Sequence, residues 1–440
     1  MALSLGSHRL AVSQRRMFLE PGLSSPDSHR ARPSDRLASR KLATLFPYFN
    51  NMIEGNENQM SGHYCRIFLW ELFITVTVAV ALPLEADDQL LAANTDPVEE
   101  RRQTVRKLVA HAKAWQGAEH ARSLWQFANS LAGYAVLAAL AVVAFNGGHY
   151  GLQAALMVVA AGFLIRLFIV QHDCGHGSFF NKRLYNNALG RFISVLTFTP
   201  YDFWRKSHNL HHAHSGNLEL RGLGGVDTLT VAEYQALPVR KKLAYRLLRN
   251  PALLLLFTAP LNIMLFQRFP APHSMPWLDN YDSISHKDSL PSIMGLNVAL
   301  FAVYGAVAYL IGWQPVVFAL LPIVYITAIL GGWLFYIQHQ FEHTMWKHNE
   351  EWSFAEAALY GSSQYILPPV LQWFSGNIGL HHLHHLNAKI PNYRLQACVD
   401  ASPELKAMNR LTLRESFRCL KWALWDEHQQ KLVSFADVKA

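Results

Sequence analysis

The stretch LQAALMVVAAGFLIRLFIVQHDCGHGSFF, Leu152 to Phe180, decides the fold. Leu152 to Val170 carries a single charge, Arg166, over the length needed to cross a bilayer core, about 20 residues at 1.5 Å rise each. Arg166 lies within two turns of the polar end, where a long cationic side chain can snorkel to the interface. The apolar run then feeds directly into His172 and His176, which at i and i+4 share one helical face. A membrane span that ends in a histidine pair puts polar chemistry at one face of the bilayer.

Three more stretches have spanning length: Leu124 to Phe145, Ile293 to Gly312 and Pro315 to Ile337. The first pair of spans is joined by Asn146 to Gly151 and the second by Trp313 and Gln314. Neither connector holds a Lys or Arg, so both are expected to be outside turns. The opposite side carries Lys182, Arg183, Arg205, Lys206, Arg240, Lys241 and Lys242 and is expected to be cytosolic. Pro251 to Phe266 is apolar but short and broken by Pro260, which fits a re-entrant or interfacial helix better than a fifth span. The expected fold is an all-α integral membrane protein, with four transmembrane helices as two hairpins, interfacial helices and a cytosolic histidine-rich cap.

Composition agrees. Of 440 residues 51% are hydrophobic and only 16% charged, against roughly a quarter charged in soluble proteins. The net charge of +8 is carried beside apolar spans rather than in a separate basic domain, so anionic lipid is the expected partner and nucleic acid is not. Four scattered cysteines without a CxxC pair do not make a disulfide framework.

Residues 1–95 form an N-terminal extension, Ser-, Arg- and Pro-rich at first, that reads as disordered or as an organellar transit peptide. Its apolar segment 67–84 fits an extra span, a signal-like segment or a buried helix. Residues 96–394 read as the membrane domain, opening with an amphipathic helix that has Val98, Val105, Leu108, Val109 and Ala112 on one face and basic residues on the other. It would lie either on an anionic membrane surface or against protein. Residues 395–440 read as a cytosolic tail in which Trp422 and Trp425, at i and i+3, would pack a helix.

Two further clusters follow the first: His208, His211, His212 in HNLHH and His381, His384, His385 in HHLHH, each set at i, i+3 and i+4. The pair His339 and His343 follows the fourth span at the same level. Gathering eight imidazoles without a metal would cost of order 1 to 3 kcal/mol for each desolvated polar group, and protonation would add repulsion. Metal relieves both, and the ligand number exceeds the four of a structural zinc, so two ions are implied. The HExxH zinc signature is absent, since His339 to His343 reads HQFEH.

The set HDCGHGSFF (172–180), HNLHHAHSG (208–216) and GNIGLHHLHHLNAKIPNY (376–393) resembles the three histidine boxes of the membrane fatty acid desaturases, and within them the acyl-lipid Δ12 (omega-6) and omega-3 branch of bacterial type. The resemblance covers roughly residues 96–394. It implies a di-iron centre held by His172, His176, His208, His211, His212, His381, His384 and His385, with His339 or His343 as a further ligand and His339 better placed. His382 and His214 fall at variable positions, expected in solvent or behind the ligands. Asp173, Asn209 and Asn377 are candidates to orient ring N–H groups. Phe203, Trp204, Trp333 and Phe335 are candidates for the wall of an acyl tunnel, against ordinary packing.

The resemblance further implies O2-dependent insertion of a cis double bond into an acyl chain, of the oleate-to-linoleate type. An external donor, ferredoxin or cytochrome b5, would supply two electrons. The expected site is a bacterial inner membrane with the boxes on the cytosolic side, or an organellar membrane if the N-terminus targets one. Acyl hydroxylation and carotenoid or alkane oxidation share the ligand set. A histidine-rich metal transporter is the competing class, but its sites would lie near the bilayer midplane, not at span ends.

Overall fold

A computed structural model of the chain describes residues 96–221, 225–226, 228–269 and 286–438. The chain divides into two units at Thr95, and the expectations for the N-terminal extension, including segment 67–84, lie outside the described residues. The second unit is a mostly helical membrane fold. Its principal helices are α1 (Pro97–Lys113), α2 (His120–Asn146), α3 (Tyr150–His176), α4 (Arg183–Thr197) and α5 (Tyr201–His214). They continue with α6 (Pro251–Arg268), α7 (His286–Ile311), α8 (Trp313–His339), α9 (His381–Leu386) and α10 (Asn392–Asp400). Helix α3 is central and packs against α2, α4, α5 and α8 around Leu164, Leu167 and Val170.

Prolines inside apolar helices need a substitute donor, because each removes the N–H that would serve the carbonyl four residues earlier and no water is available in hydrocarbon. Two such prolines are handled alike. Helix α6 widens to a π turn over Leu254–Thr258 ahead of Pro260, and α8 does so over Val316–Leu320 ahead of Pro322. The Tyr325 hydroxyl donates to the orphaned carbonyl of Leu256, and Gln153 Nε2 donates to that of Phe318 at 2.6 Å. Both prolines therefore sit in continuous helices, and Pro260 does not break α6.

Five helices, α2, α3, α6, α7 and α8, are long and apolar enough to cross a membrane. Length alone does not exclude α6, contrary to the reading from sequence. Its two ends are tied to different parts of the fold. At one end Arg249 donates to Gln340, next to His339, at 2.7 Å. At the other, Arg268 donates to the Phe198 carbonyl at 2.6 Å and its own carbonyl accepts from Asn297 of α7. Helix α7 in turn begins against α5, where Ser292 Oγ accepts from the Phe203 N–H.

Over the ends of these helices sits a cap. Helix α1 buries Val105, Leu108 and Ala112 against Leu383, Leu386 and Leu395, while Val98 and Val109 stay exposed. Ion pairs Arg101–Glu356 (3.2 Å) and Lys107–Glu404 (2.6 Å) hold its basic side. Its apolar face thus covers protein, not lipid. The tail is no helix at its tryptophans: Trp422 ends a 3₁₀ turn and Trp425 lies on strand β4. Numbered along the chain, β1 (Leu229–Thr230), β4 (Leu424–Asp426) and β5 (Lys431–Val433) make one sheet in the order β1-β4-β5. Register pairs Leu229 with Leu424 in parallel and Leu424 with Val433 antiparallel. Strands β2 (Gln364–Ile366) and β3 (Arg410–Thr412) pair in parallel elsewhere.

Candidate metal centre

Three local features aim the histidines. Helix α3 stops at His176 because Gly177 adopts φ 68, a left-handed cap that a side chain would strain, and Ser178 N–H closes back to the Asp173 carbonyl at 3.0 Å. Helix α5 presents His208, His211 and His212 on its inner face. The short α9 is wholly buried and tethered at its start, where the His381 N–H reaches the Ser363 carbonyl.

Two groups result. His172, His176, His208, His212 and His384 have one ring nitrogen each within 4.8 Å of the others, as do His211, His339, His381 and His385. All nine are buried. Ring nitrogens face one another without an intervening polar group: His211 and His381 Nε2 each lie 3.0 Å from His339 Nε2, and His208 and His384 Nε2 each 3.1 Å from His212 Nε2. His212 also stacks on His385 at 4.0 Å between ring centres, joining the two groups.

Outer contacts explain which nitrogen looks inward. His172 Nδ1 faces the Asp173 carboxylate at 3.3 Å, which itself accepts twice from Asn392, at 2.7 Å and 2.8 Å. His339 Nδ1 faces the Gly361 carbonyl at 3.4 Å. With Nδ1–H donating to these acceptors, the Nε2 lone pairs of His172 and His339 point into the groups. Buried Nε2 atoms of His172, His176 and His385 have no hydrogen-bond partner. Converging, unpaired nitrogen lone pairs in a buried site are what a transition metal ion takes up, and five plus four neutral donors suit two ions.

His343 stays apart. Helix α8 ends at His339, Gln340 turns the chain (φ −108, ψ 65), and the i, i+4 relation on which the pair was read is lost, leaving His343 exposed. His382 is buried rather than in solvent, with its Nε2 facing the Leu405 carbonyl, and His214 is half-buried outside both groups. Asn209 is exposed, while Asn377 bonds the Asn392 carbonyl and Gln372, so neither touches a ring. Asn392 and Gly361 were not anticipated. A backbone carbonyl leaves no sequence signal, and Asn392 is one residue in the loop-like stretch IPNY.

A cavity of about 560 Å³ runs from the histidines into the apolar part of the fold. His172 of one group and His381 of the other line its upper end, with Phe203, Trp204 and Phe335 beside them. Trp333 does not contribute, because its ring packs on Phe417 and its N–H donates to the Tyr365 hydroxyl. Along α8 the lining runs from Gln338 to Val324, a rise of about 21 Å.

A family model for fatty acid desaturases matches residues 149–417. A fatty acid desaturase of Bacillus subtilis is 40% identical over 76% of this chain and 92% of its own length. The chain belongs to the fatty acid desaturase family. A Nostoc sn-1 acyl-lipid omega-3 desaturase (ferredoxin) is 27% identical over 53% of the chain and 63% of its own length. A Synechocystis sn-1 oleoyl-lipid 12-desaturase is 28% identical over 52% and 62%. The desaturase is thus an oxidoreductase acting on fatty acids.

Burial holds His208, His211, His212, His381, His384 and His385 well below the ordinary imidazole pKa, and neighbouring imidazoles add to the effect. All six imidazoles are neutral at pH 7. A group depressed on folding contributes stability that is complete above its unfolded pKa, about 6.5, and lost as pH falls below it. Metal affinity follows the same sign. Samples equilibrated at falling pH and desalted should therefore keep metal through pH 6.5 and release it only well below, as the depressed folded-state values are passed. Release already complete at pH 6.5 would contradict a cluster of buried neutral imidazoles.

Proposed function

We propose that the desaturase inserts a cis double bond into acyl chains of membrane lipid at a pair of non-haem irons, with O2 as co-substrate and two electrons from a separate donor. His172, His176, His208, His212 and His384 would hold one iron and His211, His339, His381 and His385 the other. The observation that carries this reading is the cavity: one apolar chamber meets a histidine of each group. Its length along α8 suits a long extended acyl segment reaching from the histidines into the apolar part of the fold.

Methylene C–H bonds are not acidic, so no side-chain base can remove their hydrogens. Iron in the two groups supplies, with O2 and electrons, the oxidising power for that step. The chain's own residues do the rest. Asp173 and the Gly361 carbonyl fix ring orientation. Trp204 lies flat against His208 at 4.6 Å and Phe335 against His211 and His339, which keeps water from the rings and presses an acyl chain toward them. In this reading α2, α3, α7 and α8 cross the membrane, while α6 is an interfacial helix rather than a fifth span. The histidines then face the cytosol of a bacterial inner membrane, as the basic segments favour.

Gas chromatography with mass spectrometry of fatty acids from a host expressing the full chain, supplied with oleic acid under air, tests this. A dienoic acid with its new bond at carbon 12 is expected. A new bond elsewhere overturns the Δ12 position alone, and a hydroxylated product overturns desaturation.

A further inference from the structure

The reaction just proposed balances as R–CH2–CH2–R + O2 + 2 e⁻ + 2 H⁺ → R–CH=CH–R + 2 H2O, so two electrons must cross the protein surface for each double bond. One surface group touches a metal-binding segment directly. Lys389, in the turn between α9 and α10, donates its ammonium to the His176 carbonyl at 2.5 Å.

Lys389 is not alone. Arg183 is close enough for the two charges to repel, and Lys182 lies over the Tyr185 ring at 5.7 Å. Among the described residues none of these three cations has a carboxylate in ion-pair range, whereas Arg191 of α4 and Arg394 of α10 do. Arg191 pairs with Asp202 at 2.8 Å and Arg394 with Glu119 at 2.7 Å. Leu184 and Tyr185 stand exposed within the same patch. Unpaired charge around a small apolar centre is the make-up of a weak, fast-exchanging protein contact, steered by electrostatics and small in area.

We propose that Lys182, Arg183 and Lys389, with Leu184 and Tyr185, form the docking surface for an acidic one-electron carrier protein, whose electrons enter through the hydrogen bond from Lys389 to the His176 carbonyl. This rests on the reading of the chain as an electron-consuming desaturase. Charge complementarity selects an acidic partner. The position of Lys389 on the histidine cap, rather than on a span, favours a protein over a lipid surface.

The test uses the iron-loaded full chain in phosphatidylcholine nanodiscs with reduced plant-type ferredoxin as donor. The double variant Lys182→Glu, Arg183→Glu should raise the KM for ferredoxin at least about tenfold and flatten its salt dependence. Its single-turnover product after chemical reduction should match the unaltered protein. An unchanged KM overturns the proposal. So does a loss of activity that appears only when anionic lipid is added, which would make the patch a lipid contact. Carbodiimide cross-linking of the unaltered protein to ferredoxin needs no variant: a cross-link at Lys182 or Lys389 is expected, and cross-links confined to other lysines overturn the docking surface. Absence of product under chemical reduction as well would instead strike the desaturase reading itself.

Discussion

His212→Ala should abolish product, a loss well beyond the tenfold to hundredfold typical when only an outer-shell partner is removed. Its Nε2 lies 3.1 Å from those of both His208 and His384, and its ring stacks on His385 in the other group. Removing it opens both groups at once. His339→Ala should be comparably severe, since its Nε2 lies 3.0 Å from two other ring nitrogens. His343→Ala is the contrast: the residue is exposed and outside both groups, and surface substitutions of this kind stay within about 0.5 kcal/mol. Product yield and metal content of the three variants, normalised to membrane-inserted protein, check this. Equal tolerance of His339→Ala and His343→Ala would move the additional ligand elsewhere.

The second large effect should come from filling the cavity. Gly331 lines it on α8, between the part beside the histidines and the part lined by Val324, Thr327 and Ala328. Neither backbone nor packing demands a glycine there, because a Cβ would meet only Ile165 Cδ1, at an ordinary 3.6 Å. Its neighbour Gly332 differs: a Cβ would press on Ala259 at 3.1 Å, where α6 packs on α8. A glycine inside a helix costs about 0.5–1 kcal/mol relative to alanine, so one that packing does not require points to space kept open for a ligand. Gly331→Leu should therefore cut product from eighteen-carbon chains at least about tenfold with metal content intact, while Gly331→Ala stays close to the unaltered protein. Gas chromatography of products from fourteen- to eighteen-carbon substrates reads the change. Full activity of the leucine variant on the longest chain would show that substrate does not occupy this part of the cavity.

Much of this site is legible without coordinates, because i, i+3, i+4 spacing fixes a helical face and the spans fix the side of the membrane. Three clusters far apart in the chain read as one site on those grounds. What the spacing cannot reveal is where a helix stops: HQFEH continues the period through His343, and only the turn at Gln340 separates it from His339. The short strands, two or three residues each, carry too little alternation to register as period two, so Trp425 reads as helical when it is on a strand. For α6, Pro260 reads as a break because the donor that replaces its missing N–H, the Tyr325 hydroxyl, comes from a helix distant in sequence. Carbonyl partners such as Gly361 are invisible for the same reason.

The most direct test of the central claim, that nine buried histidines hold two irons, is the metal content of the purified full-length protein by mass spectrometry after growth in iron-supplemented medium. Two irons per chain are expected, falling in His212→Ala. A single ion, or zinc in place of iron in fully active protein, would contradict the account.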